Sequence, residues 1–204
     1  METVTVTVKY ETYKFEELTE EAQEKVLEKA REAKGQYDSE WIFECTLDDW
    51  KEKLESMGMD DVKIQFSGFW SQGDGASFNA NVELKEFIKH ANLPEGKYRH
   101  LIRLIEAEGM EASILTNHFG NHYSHENTRD LSLESNIWRR YTPRLFKLLK
   151  ELENELEEFR SNLSHDLYRD LEKAWEYAMS KECLLEDIEA NEDTYLECGK
   201  VFFE

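Results

Sequence analysis

Apolar and polar positions change period several times along this chain, and each change marks an element. Val4, Val6, Val8 and Tyr10 alternate with Thr and Lys, the two-residue period of a strand. Thr19 stands as an N-cap before a helix over 20–34, with Ala22, Val26, Ala30 and Ala33 on one face and Gly35 as its stop. Residues 39–57 return to helical spacing through Trp41, Cys45, Trp50, Leu54 and Met57, and Met57-Gly58 ends them. The clearest β signal follows: 63–70 and 76–82 flank Ser71-Gln72-Gly73-Asp74-Gly75, two strands about a Gly/Asp turn. Helices over 84–91 and 97–108 are separated by Pro94-Glu95-Gly96. A second hairpin is predicted from 111–118 and 122–133, turning at Phe119-Gly120.

From Pro143 to about Met179 apolar residues recur at three- and four-residue steps, from Leu145 through Leu156 and Leu167 to Ala178. Pro143 suits a first helical turn. Such a helix would be roughly 50 Å long, so it breaks near Ser161-Asn162-Ser164, projects as an arm, or pairs in a homodimer. Ser180 caps a last helix to about Asn191, and 195–203 turn back at Cys198-Gly199. No Pro/Gly/Ser linker and no repeat divides the 204 residues. The pattern predicts one α+β domain over 1–204: an antiparallel sheet built from hairpins, helices packed on one side, and a long C-terminal helix.

Charge changes this picture most. The chain holds 45 acids and 25 Lys or Arg, a net charge of −20. Residues 11–61 hold 17 acids against 7 bases and 151–193 hold 15 against 4, while 62–150 hold 10 against 12. Acidic helices at both ends disfavour direct nucleic-acid binding, which needs Lys and Arg on phosphates, and favour a protein partner with a basic surface. No apolar run reaches the roughly 18 residues of a membrane span, and Met1-Glu2-Thr3-Val4 lacks the basic start and apolar core of a signal peptide. Cys45, Cys183 and Cys198 are odd in number and far apart, so neither a disulfide framework nor a CxxC motif is present. The expectation is a host-cell cytoplasmic protein.

Three segments carry a resemblance: the hairpin Phe66-Ser67-Gly68-Phe69-Trp70-Ser71-Gln72-Gly73-Asp74-Gly75-Ala76-Ser77-Phe78, the stretch His122-Tyr123-Ser124-His125-Glu126, and Leu167-Tyr168-Arg169-Asp170-Leu171-Glu172 with the segment after it. Together they resemble a group of phage and prophage proteins, some labelled antitoxin-like. The resemblance implies a mobile-element origin and a role in toxin or host-defence conflict; it supplies no reaction and no catalytic residue.

The candidate chemistry is sparse. His118, His122, His125 and Glu126 have metal-ligand residue types, but a two-residue turn at Phe119-Gly120 would pair Ile114 with His125 and split the imidazoles between faces, so no metal or other cofactor is expected. The glycines of 71–75 lead into a strand rather than a helix and read as turn formers, not a phosphate cradle. Along the first hairpin, Ile64, Phe66, Trp70, Phe78, Ala80 and Val82 face one way, leaving Gln65, Ser67, Ser77, Asn79 and Asn81 on the other. That polar row is either a solvated sheet face or a hydrogen-bonding platform. The candidate binding residues are therefore Ser67, Trp70, Gln72, Asp74, Ser77, Asn79, Asn117, His122 and His125, with no catalytic residue assigned. The leading expectation is a phage-type antitoxin or anti-defence protein that occupies a partner protein. The alternative is a small-ligand-binding protein or hydrolase using the two hairpin tips, with Asp74, His122 and His125 as acid–base groups.

Overall fold

A computed structural model of the chain describes residues 9–36, 39–108, 111–116, 124–134 and 142–202. Among the described residues six α-helices, α1 (Glu20–Gln36), α2 (Ser39–Ser56), α3 (Leu84–His90), α4 (Glu95–Glu108), α5 (Pro143–Ala178) and α6 (Lys181–Ala190), accompany four strands, β1 (Met59–Ser67), β2 (Gly75–Val82), β3 (Glu111–Thr116) and β4 (Arg129–Glu134). The strands form one antiparallel sheet in the order β1-β2-β3-β4, and the fold is α+β. The chain divides into two compact units, with both boundaries falling inside helices, α2 and α5. The first comprises residues 1–43 and 173–204, the second 44–172.

In the first unit, the Thr19 hydroxyl accepts from the Ala22 amide and starts α1. Ala22, Val26 and Leu27 then pack with Leu184 and Ile188 of α6 and with Leu18 and Tyr195. The Ser180 hydroxyl caps α6 by accepting from the Cys183 amide. Tyr195 bridges Tyr13 on one side and Val201 on the other, so the turn at Cys198-Gly199 returns the chain as the sequence predicts. Gly35 does not stop α1 but lies inside it, with the Trp175 ring at an ordinary contact distance of 3.9 Å from where a Cβ would stand. The strand predicted at 4–10 lies, up to residue 8, outside the described residues.

The second unit is built on the sheet. Gly58, at φ 84°, ends α2 and turns the chain into β1. Met59 and Val62 are both buried although they have opposite parity, because β1 holds one extra residue between Asp60 and Lys63, with Asp61 at φ 52°. Beyond this bulge Ile64 pairs with Phe78 and Phe66 with Ala76, so the apolar residues of both strands share a face. Phe78, Ala80, Ala112 and Ile114 are at most 3% exposed on the sheet, as are Leu152, Leu156 and Leu167 on α5. Phe87 of α3 meets Phe159 of α5 edge-on at 5.4 Å, and the Trp50 indole donates to Asp170 at 3.2 Å. α5 runs unbroken past Ser161, Asn162 and Ser164.

The second hairpin departs from the sequence reading. Ile114 pairs with Leu131, not His125, and β4 begins only at Arg129. Glu126–Thr128 forms a 3-10 turn in which Thr128 donates both its amide and its hydroxyl to the His125 carbonyl, and the Asn127 amide donates to His125 Nδ1. Short polar side chains that bond their own backbone favour such a turn over a ladder. No helix is long and apolar enough to cross a membrane among the described residues.

Candidate functional site

The hairpin loop 68–74 is held by hydrogen bonds within itself and by a ring contact to α5. Gly68 and Gly73 adopt φ of 53° and 93°, and Trp70 itself is held at φ 67°, a conformation that costs a bulky residue and marks strain. Asp74 fastens the loop from within: its carboxylate accepts from the Ser71 amide at 2.7 Å, and the Asp74 amide donates to the Ser71 carbonyl. Phe69 packs on Tyr168 of α5 at 5.5 Å and on Trp70 at 5.6 Å. The Tyr168 hydroxyl, hydrogen-bonded to the Trp70 backbone, is pushed to a higher pKa by burial, with Glu172 and Asp74 adding negative charge. Trp70 consequently leaves the apolar strand face and stands 68% exposed, beside exposed Gln72.

The predicted polar row of the hairpin is not an open face. Gly75 pairs with Ser67, and a Cβ at Gly75 would lie 2.3 Å from the Cβ of His125 and 2.6 Å from its Cα. The chain at 125–129 therefore lies over this side of β2, and Ser77 beneath is fully buried. Asn79 is half-buried, while Gln65 and Asn81 remain exposed. Of the predicted residues, Ser67, Ser77 and His125 are thus brought together, Trp70, Gln72 and Asp74 form the loop, and Asn117 and His122 lie outside the described residues, as does His118.

Two features escaped the sequence reading. Arg129 and Arg160 are 3% and 2% exposed, and Arg160 pairs with Glu157. The first unit holds a cleft of about 560 Å³ walled by Val26, Trp41, Ile188 and Tyr195. On its wall Lys34 binds Asp187 at 2.5 Å and Cys183 at 3.2 Å, its ammonium 5.3 Å from the Trp41 ring. Burial alone would pull Lys34 down, but the bonds to Asp187 and Cys183 outweigh it and hold its pKa above the ordinary lysine value. The signal for Lys34 is its place in the four-residue series Ala22, Val26, Ala30, Lys34 on the buried face of α1. All three cysteines are free, and no group of three His, Cys, Asp or Glu residues is arranged to hold a metal among the described residues.

A family model described as a domain of unknown function, DUF8835, matches residues 41–181, a span that contains the whole second unit with its hairpin loop and buried arginines. No curated protein and no solved structure matches the chain.

Proposed function

The chain belongs to the DUF8835 family, a domain of unknown function, and we propose that it is a phage-type antitoxin or anti-defence protein that works by occupying a partner protein with a basic surface. The observation that carries this reading is Trp70, 68% exposed on a loop already locked by Asp74 and Tyr168. Large aromatics that fill a partner's pocket dominate binding energy. A loop that needs no ordering on contact loses less entropy in doing so. Glu172 and Asp74 put negative charge beside Tyr168, on which the loop residue Phe69 packs, which suits a Lys- or Arg-bearing partner that stacks on an indole. The acidic helices add long-range attraction and speed the encounter.

The test is capture from bacterial lysate by the immobilised full-length chain, its Trp70→Ala variant, and Trp41→Ala as a control that removes another exposed tryptophan. The expected result is one basic protein retained by the parent and by Trp41→Ala, with affinity reduced by about 2 kcal/mol, roughly 30-fold, in Trp70→Ala. Equal retention by Trp70→Ala would remove the loop from the interface.

A further inference from the structure

Arg129 is a buried cation whose hydrogen-bond acceptors are all neutral. Its Nη1 donates to the Thr128 carbonyl at 3.1 Å and to the Thr128 hydroxyl at 2.9 Å, its Nη2 donates to Gln65 Oε1 at 2.7 Å, and its Nε has no partner. Among the described residues no carboxylate pairs with it. Burial, and then the positive charge of Arg160, push its pKa below the ordinary arginine value. A desolvated guanidinium held by neutral acceptors beside a second cation is an unfavourable arrangement, and an anion relieves it.

The geometry states where that anion sits. Nε and Nη2 lie along one edge of the guanidinium, the edge that grips a carboxylate or phosphate through two parallel bonds. Here one position on that edge is vacant and the other is filled by an amide oxygen at the end of an exposed, flexible side chain. Around Gln65 two further hydroxyls await an acceptor or donor. Ser77, its direct partner across the β1–β2 ladder, is fully buried with Oγ unpartnered, and Ser67, two residues along the same face, has a buried and unpartnered Oγ. Three unpartnered polar groups are thus tied to Gln65: Arg129 by its hydrogen bond, Ser77 by the ladder and Ser67 by sharing its face.

We propose that this is a binding site for a phosphate-type oxyanion, which displaces the Gln65 side chain, takes the Nε–Nη2 edge of Arg129, and accepts from the hydroxyls of Ser77 and Ser67. Arg160, whose own charge is shared with Glu157, contributes attraction at longer range. The site lies one side chain below the surface and the chain carries a charge of −20, so it takes a free phosphate or the terminal phosphate of a small molecule rather than a polyanion. It shares no residue with the Trp70 loop and stands or falls separately from partner docking.

The experiment is calorimetric titration and thermal melting of the full-length chain with inorganic phosphate and, separately, with adenosine monophosphate, against potassium chloride at matched ionic strength. Saturable binding of inorganic phosphate identifies a free anion, and binding of the nucleotide alone identifies a phosphate monoester. In either case Arg129→Gln abolishes binding and Ser77→Ala weakens it about fivefold or more. Gln65→Ala tightens it severalfold by removing the competing acceptor, an effect that no merely structural role of Gln65 produces and that holds the test even where Arg129→Gln does not fold. No response to either probe, or affinity unchanged in Gln65→Ala, overturns the site. Binding that survives in both Arg129→Gln and Ser77→Ala shows an adventitious ion only.

Discussion

At the scale of single residues, the polar side of the first hairpin depends on one missing side chain. A methyl at Gly75 would meet His125 at 2.3 Å and the His125 backbone at 2.6 Å, and backbone atoms cannot swing aside as a flexible side chain can. Gly75→Ala is therefore expected to lower stability by about 1–3 kcal/mol, as overpacking does. Urea unfolding measures it. Gly96→Ala serves as the control: nothing stands within 4 Å of that position, in the first turn of α4, so it is neutral or slightly stabilising there. Equal midpoints for the two variants would mean that 125–129 does not lie against β2. Trp70 shows the same scale from the other side. Its sequence neighbourhood reads as a strand end, yet a positive φ and an exposed ring make it a presented group.

At the scale of elements, regular periodicity was readable and irregular backbone was not. α1, α2, α5, α6 and the β1–β2 pair follow directly from apolar spacing, caps and turn glycines. The Thr19 and Ser180 caps are legible because capping demands a hydroxyl at one position. β4 was mispaired because His125, Asn127 and Thr128 satisfy their hydrogen bonds locally, and alternation in residue types cannot distinguish that from a ladder. Of the candidate site, Ser67 and Ser77 belong to the polar row and His125 to the second hairpin; Lys34 continues the apolar series along α1, whereas nothing in the sequence marks Arg129 as buried. Burial of a cation is decided by what folds over it. Lys34 and Tyr195 also make the first unit sensitive to alkali. Burial, with the nearby charge of Asp193, raises Tyr195 to about 12, and Lys34 is raised as well. Groups with raised folded values contribute fully below their unfolded values near 10 and lose that contribution as pH climbs through the folded ones. Loss of about 2 kcal/mol is expected between roughly pH 10 and 12, followed by circular dichroism. Tyr195→Phe should move the alkaline midpoint upward, and an unmoved midpoint would remove Tyr195 from the seam.

At the scale of the whole molecule, charge sets behaviour. The first unit holds 20 acids against 9 bases, a net of −11, and the second 25 against 16, a net of −9. Pairs such as Lys25–Glu21 and Lys150–Glu153 lie within single helices and are exposed, so they contribute little and leave the net repulsion standing. Raising monovalent salt from about 0.05 to 0.5 M shortens the screening length severalfold. The melting temperature of the isolated chain is expected to rise as self-repulsion fades, while affinity for a basic partner falls. Calorimetry and surface-based binding read the two separately. An affinity that does not fall with salt means that electrostatic attraction is not what brings the partner in.

The surplus residue at Asp61 has a consequence for the polar side of the hairpin. Without it the strand would read Met-Asp-Val-Lys-Ile-Gln-Phe, inward and outward in strict turn, so the pleat itself has no need of it. What an extra residue supplies is torsion, because a bulged strand winds more tightly than the one it lies against. The twist with which β1 carries Gln65 and Ser67 past β2 is thus expected to depend on a kink several residues upstream.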